Sequence, residues 1–432
     1  MDFFLGSFPF MSRRPLRILF VYRSDVDKNG GAAGVMVNTC NAVKDLGVQV
    51  EITYDQYPKT EGFDLAHVFN IWSPPTALAQ LKHLRRSGIP VVWSPFYLHW
   101  CECAWANLVF ELVYKQENAP AEREKILNAL AAGTLEINGL GRWKPNELYT
   151  GFHQVLKEML ACVDHVCLAS RSEIQKLSQI LGDPCVGFTV TPHGVDAQQF
   201  RNASRGDFAT RFGVEDFILC VGAVDRRKNQ LMLIEALKGT ALPLVLIGPS
   251  YEQDYLEVCK KEGGGQVIYT GRLSQELVAS AYKAASVHVL PSFAEGAALS
   301  NLEAAVSECA MVVSNRSSEF EYFGDGPFYC SPNDPGSIVK AVLLARQSSL
   351  SEKERWADLA GHVETNFTWK RTAELTFWAY ERMLSGKSRS NALREESRNA
   401  QSALRSAGSL EVPPALWSGQ GLRAPGRLLR TG

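Results

Sequence analysis

Apolar residues fall in short runs along this chain, separated by polar turns and by stretches with helical spacing. Residues 16–22 (LRILFVY), 48–54, 64–70, 90–95, 165–169 and 186–191 read as strands in a first half. Residues 217–224 (FILCVGAV), 243–248, 266–270, 286–290 (SVHVL), 311–314 and 328–330 repeat the plan in a second half. Unbroken runs without strict alternation suit parallel strands buried on both faces. Between them, residues 35–46, 73–86, 146–163, 230–237, 299–309, 341–360 and 371–384 carry the spacing of helices that cover a sheet. Ser170 followed by Glu173 has the form of a capping box. Residues 104–133 read as a helical insertion, and polar residues 196–212 as a linker between the halves. The expected architecture is α/β, two doubly wound units facing each other across a cleft.

Composition narrows what such a chain can do. It has 432 residues, 46% of them hydrophobic and 21% charged, as in ordinary globular protein. A formal net charge of −1 argues against bulk nucleic-acid binding. Ten cysteines are present without a CxxC pair, so neither a zinc ribbon nor a thioredoxin-type site is indicated; reduced thiols and a cytoplasmic setting are expected. No apolar run reaches 18 residues, so no spanning helix is expected. Residues 1–15 read as an extension, too broken by Gly6 and Pro9 for a signal peptide. From residue 386 the chain turns polar, with eight basic against three acidic side chains. This tail reads as disordered, with peripheral contact to an anionic membrane as the sharper alternative.

Candidate chemistry gathers where strands end. The stretch Pro291 to Glu303 (PSFAEGAALSNLE) joins a strand to a helix through a small-residue loop. Free amides at a helix start favour anions. Glu295 and Glu303, eight residues apart, make sense there as acceptors of hydrogen bonds from hydroxyls. A ligand with both phosphate and sugar asks for this mixture. A hydrolase dyad fits poorly. Retaining glycosidases hold their carboxyls about 5–5.5 Å apart, whereas eight helical residues span about 12 Å. Arg226, Arg227 and Lys228 follow the strand at 217–224 and could pair with phosphates. The glycine-rich turn at 29–34 (NGGAAG) opens the first helix, so Gly30 and Gly31 could bring backbone N–H groups close to a ligand. Its spacing is not GxGxxG, which disfavours a dinucleotide. His99 lies in an aromatic loop after the strand at 90–95 and is equally a substrate-orienting group or a packed histidine.

With these residues in view, residues 16–385 resemble the retaining, family 4 type of GT-B glycosyltransferases. The most specific likeness is the E-x7-E signature, Glu295 to Glu303. NGGAAG, TPHGVD at 191–196, VGAVDRRKNQ at 221–230 and FTW at 367–369 accompany it in order. The resemblance implies an acceptor domain at 16–200 and a nucleotide-sugar donor domain at 213–365, with a helix at 370–385 crossing back to the first. It implies that Glu295 contacts the transferred sugar and Glu303 the ribose hydroxyls. Lys228 and Arg227 would hold the diphosphate, helped by Gly222 and Gly296 and by amides at Ala298 and Leu299. Gly30 and Gly31 would face them, with His99 on the acceptor side. It further implies a nucleoside-diphosphate sugar donor, a glycan or lipid-linked acceptor, and neither cofactor nor metal. Two positions depart from the pattern. Gly222-Ala223 stands where the family often has Gly-Arg, leaving Arg226 or Arg227 to substitute, and Ala297-Ala298 stands where Phe-Gly is usual. Two other readings stay open on these residues: a nucleotide-sugar epimerase on the same plan, and a catalytically silent sugar-nucleotide-binding protein.

Overall fold

The computed structural model describes residues 14–23, 30–71, 73–98, 100–116, 119–132, 145–181, 186–316 and 318–385. His99, residues 1–13 of the N-terminal extension and the basic tail lie outside these residues. The strands are β1 (Arg17–Val21), β2 (Gln49–Thr53), β3 (Leu65–Phe69), β4 (Val91–Ser94), β5 (His165–Leu168) and β6 (Gly187–Val190). They are followed by β7 (Ile218–Val221), β8 (Leu244–Ile247), β9 (Val267–Gly271), β10 (Val287–Leu290), β11 (Met311–Ser314) and β12 (Phe328–Cys330). The first sheet has the order β2-β1-β3-β4-β5-β6 and the second β12-β11-β10-β7-β8-β9, and the paired strands are parallel throughout. Each sheet reverses its direction of growth once, between β1 and β3 and between β7 and β10. Such reversal points open a crevice outside the carboxyl ends of the strands.

The central strands are buried along their length, as in β3, β4, β8, β10 and β11, because helices cover both faces. The helix Trp369–Leu384, capped by Thr368, returns to the first sheet. There Ala373, Ala379 and Tyr380 join Ile18, Phe20 and Met36 in one core. The Tyr380 hydroxyl lies 2.6 Å from His67 Nδ1, whose Nε2 reaches Ser94 Oγ at 2.8 Å. No helix among the described residues is long and apolar enough to cross a membrane.

Three stretches differ from the sequence expectation. The first helix begins at Gly31 rather than at 35, so the glycine-rich turn is already its first turn. Residues 196–212 are not an open linker. They form the helices Ala197–Arg201 and Arg205–Phe212, whose Phe200 and Phe208 are buried in the second core. Two aromatic anchors outweighed the polar composition around them. The insertion, helices Trp100–Val109 and Pro120–Ala131 with a π-helical turn at Phe110–Tyr114 between them, leaves the sheet that precedes it. Phe110, Val113 and Tyr114 pack into the core of the second sheet. The Tyr114 hydroxyl donates to Leu231 O (3.1 Å), and Arg123 forms two hydrogen bonds to Glu262 (2.6 and 3.1 Å).

A second set of contacts joins the two units beside the crevice. Glu321 accepts from the N–H groups of Arg171 and Ser172 (2.9 and 2.6 Å) at the start of the helix Arg171–Leu181. Ser318 meets both Ser170 and Ser172. Tyr322 donates to Ala169 O (2.8 Å) and accepts from His193 N. A carboxylate at a helix N-terminus is favourable, and here it comes from the opposite unit. The predicted capping box is half formed: Glu173 N donates to Ser170 Oγ (3.1 Å). The Glu173 carboxylate instead accepts from Tyr97 N (2.7 Å) and Ala169 N (2.8 Å), tying the loop after β4 in place.

Candidate functional site

The loop after β7 and the loop after β10 leave neighbouring strands at the reversal point of the second sheet. Backbone joins them: Phe293 N donates to Arg227 O at 2.9 Å. Asn229 takes a left-handed conformation (φ 66°), which asparagine tolerates well. From there its amide donates to Pro291 O (3.0 Å) and Pro332 O (2.7 Å). Asp225 Oδ1 accepts from Lys228 N at 2.8 Å. The loops are therefore fixed before any ligand arrives.

They meet in one carboxylate. Lys228 Nζ and Arg227 Nη1 each stand 2.7 Å from Glu295 Oε1. Arg227 also donates to Ala294 O (2.9 Å), and Asp225 lies 3.7 Å from its other nitrogen. The Glu295 side chain is 9% exposed and that of Lys228 10%. Burial pushes the Glu295 carboxyl up, but Arg227 and Lys228 more than offset it and hold it below the usual carboxylate range. Burial lowers the Arg227 pKa, while Glu295 and Asp225 raise it further, so the guanidinium stays charged. The site is a largely buried cluster of fixed charges, the arrangement that acts strongly on a ligand charge.

Gly222 makes room for this cluster. A Cβ there would stand 3.3 Å from Lys228 Cε, on a backbone at φ +153°. Gly248 is tighter still: its Cβ would meet Gly222 O at 2.0 Å. Both glycines answer to close approach rather than to loop flexibility.

Downstream, Ala298 caps the helix Leu299–Val306 without a side-chain hydrogen bond and without an acidic residue in the first turn. The first amides of this helix, from Leu299 on, are of the kind that favour anions. Gly296 faces the first unit: its Cβ position is 3.9 Å from Tyr97 O. Glu303 accepts from the Tyr282 hydroxyl at 3.1 Å. Burial raises its carboxyl to about 7, against the pull of that hydrogen bond. Across the crevice, Gly30 caps the helix Gly31–Asp45, again with no side-chain cap and no acidic first turn.

Arg226 departs from the role expected for it. Its guanidinium lies 4.3 Å over the Phe110 ring and pairs with Glu252 (3.1 Å) and Asp254 (2.8 Å). Asn107 completes the shell at 3.4 Å. The insertion claims this cation through stacking and ion pairing, which leaves Arg227 and Lys228 as the basic pair on Glu295.

Two residues that the sequence reading passed over border the site. His193, after β6, is buried, and its Nδ1 lies 3.3 Å from Ala297 O. A carbonyl only accepts, so Nδ1 carries the hydrogen. Burial lowers the imidazole to about 4, keeping it neutral. Glu319, just after β11, is 1% exposed. Both follow strands at the carboxyl edges that already held the candidates, Glu319 as the first residue of the helix Glu319–Phe323.

Comparison with known proteins finds similar sequences and similar folds. Residues 208–360 match the family described as Glycosyl transferases group 1. O-antigen chain mannosyltransferase B of Escherichia coli is 29% identical over 180 residues, 39% of this chain and 46% of that protein. Serotype-specific mannosyltransferase WbdA of Escherichia coli is 26% identical over 197 residues, 42% of this chain and 24% of that protein. The match thus spans less than half of the length of these curated relatives. Among solved structures, sucrose-phosphate synthase of Thermosynechococcus elongatus superposes with a TM-score of 0.62 at 15% identity, over 86% of this chain and 100% of that one. Anabaena HepE in complex with UDP and glucose superposes with a TM-score of 0.61 at 14% identity, over 85% and 99%. The fold is GT-B.

Proposed function

For a GT-B chain whose residues 208–360 match the family described as Glycosyl transferases group 1, we propose a glycosyltransferase. It moves a sugar from a nucleoside-diphosphate sugar to an acceptor hydroxyl, with retention at the anomeric carbon, in glycan assembly. The observation that carries this reading is the shared carboxylate: Lys228 and Arg227 on Glu295 Oε1 at the reversal point of the second sheet. The mannosyltransferase relatives support a glycan acceptor, and the HepE complex with UDP and glucose supports a nucleotide-sugar donor.

The residues would divide the work as follows. Lys228 and Arg227 stabilise the diphosphate as it leaves, with amides from Ala298 and Leu299 at the helix start. The carbon–oxygen bond to the phosphate breaks and the acceptor oxygen bonds to the anomeric carbon from the same face. The acceptor proton passes to the departing phosphate oxygen, so no protein nucleophile takes part. Glu295 orients the sugar and Glu303 binds the ribose hydroxyls. The two basic side chains supply the positive charge, and the reading includes no metal.

The test is transfer itself. The full chain, incubated with UDP-, GDP- and ADP-sugars and an oligosaccharide acceptor, should consume one donor only when the acceptor is present, and the new linkage should keep the donor's anomeric configuration by NMR. Conversion of the donor without acceptor would instead indicate an epimerase. Inversion would refute the retaining mechanism.

A further inference from the structure

The transferase reading does not use the insertion after β4, yet the insertion touches the basic loop on both sides. It leaves the first sheet between β4 and β5 and buries Val109, Phe110, Val113 and Tyr114 in the core of the second. Before the basic pair, the Arg226 guanidinium lies 4.3 Å over the Phe110 ring. After the pair, the Tyr114 hydroxyl donates to Leu231 O at 3.1 Å, in the first turn of the helix Gln230–Leu237. Tyr255 links the two contacts. Its ring lies 5.5 Å from that of Phe110, and its hydroxyl accepts from Leu231 N at 3.0 Å. Arg227 and Lys228 are thus bracketed by contacts at positions 226 and 231.

The sequence of the insertion provides for this. Phe110, Val113 and Tyr114 are spaced i, i+3 and i+4, so they share one helical face. The π-helical turn that carries them is closed by Lys115 N donating to Phe110 O at 2.9 Å. Burial pushes the Tyr114 hydroxyl well above its ordinary range, so it remains a donor.

Charge explains why Arg226 has to be held. Arg226, Arg227 and Lys228 are three successive cations, and like charges so close repel. The structure gives them different partners. Glu252 (3.1 Å) and Asp254 (2.8 Å), at the start of the helix Gln253–Gly263, neutralise Arg226, and the Phe110 face attracts it further. Arg227 and Lys228 stay with Glu295.

We propose that the insertion is a brace for the phosphate loop, with Phe110 and Tyr114 as positioning residues. From the first unit they hold Arg226 and Leu231, and so keep Arg227 and Lys228 in the register that meets a diphosphate. Phosphate affinity then depends on two side chains that touch no ligand, and the site of the second unit is completed from the first. The inference rests on the transferase reading for its ligand; the brace itself does not depend on it.

The experiment uses the full chain with Phe110→Leu and Tyr114→Phe, which remove a ring face and a hydroxyl without changing charge. Phe208→Leu is the control. It makes the same change in the same core, against Phe212 and Phe217 at the amino end of β7. Hydrogen exchange at residues 225–230, with β10 as the internal reference, should quicken about tenfold in both brace variants and stay level in the control. Calorimetry with UDP, GDP and ADP should show the diphosphate that binds wild type losing about tenfold in affinity in both brace variants, while its parent nucleoside loses none. Level exchange in both brace variants, or equal quickening in the control, overturns the brace. Equal losses for nucleoside and nucleoside diphosphate overturn the positioning role. Should Phe110→Leu not fold, Tyr114→Phe alone reads both arms. If no nucleoside diphosphate binds wild type, the transferase reading fails and the exchange rates still decide on the brace.

Discussion

Between β1 and β3 the first sheet reverses its growth, and the helix Gly31–Asp45 begins there with a bare cap and no charge in its first turn. Between β7 and β10 the second sheet reverses in the same way, and there Arg227, Lys228 and Glu295 converge within 2.7 Å contacts. The architecture makes two equivalent crevice walls, and side chains make them different. Among the described residues, the helix start on the first wall offers backbone amides without a charged side chain in its first turn. The other holds opposite charges in fixed register. A reaction that separates charge needs the second kind, because preorganised charges cost no reorganisation when charge develops. The first wall needs only to admit a substrate closely.

That contrast can be broken from the charged side first. Replacing Lys228 by Ala removes a cation from Glu295 and, on the proposed reading, from the departing phosphate, so turnover in the transfer assay should fall about 10²–10³-fold. A loss below tenfold would mean that the phosphate is held elsewhere.

Glu303→Ala comes next. Losing hydrogen bonds to a charged acceptor is worth about 1.5–3 kcal/mol, so donor affinity by calorimetry should drop roughly 10–100-fold. The pH dependence sharpens this. The Glu303 carboxyl is raised to about 7, so the ionised form that the proposed ribose contact requires is lost as pH falls through 7. Donor affinity should weaken below that pH in wild type and stay level in Glu303→Gln.

The smallest effect is expected on the bare wall. A Cβ at Gly31 meets nothing within 4 Å, and Ala in a helix is favoured over Gly by about 0.5–1 kcal/mol. Gly31→Ala should therefore unfold no earlier than wild type on heating, and turnover should fall less than tenfold. A loss as large as that of Lys228→Ala would erase the difference between the walls.

What the sequence alone makes legible follows the same division. Strand interiors were legible, because unbroken apolar runs such as Val287–Leu290 and Met311–Ser314 leave little choice of period. The approach of Lys228 to Glu295 was open to expectation, since both follow strands at one sheet edge. What stayed hidden depended on contacts distant in sequence. The capture of Arg226 by Phe110 joins residues 116 positions apart, and nothing local to the RRK turn announces it. The same holds for Glu173, which looked like a local cap yet reaches Tyr97 N. Phe200 and Phe208 were masked by polar neighbours in a stretch that composition assigned to a linker. Glu319 was hidden for another reason: a glutamate just after a strand reads as a solvated surface group until its burial is known.

The central claim is that the Lys228–Arg227–Glu295 cluster receives the diphosphate of a nucleotide sugar. A thermal-shift panel of wild type and Lys228→Ala with UDP, GDP, ADP and NAD tests it most directly. A ligand at about 100 times its dissociation constant adds roughly 2.7 kcal/mol to stability, a shift of several degrees in small domains and readily seen. The account predicts a rise with one nucleoside diphosphate, none with NAD, and loss of that rise in Lys228→Ala. A rise with NAD alone, or one that survives in Lys228→Ala undiminished, would contradict it.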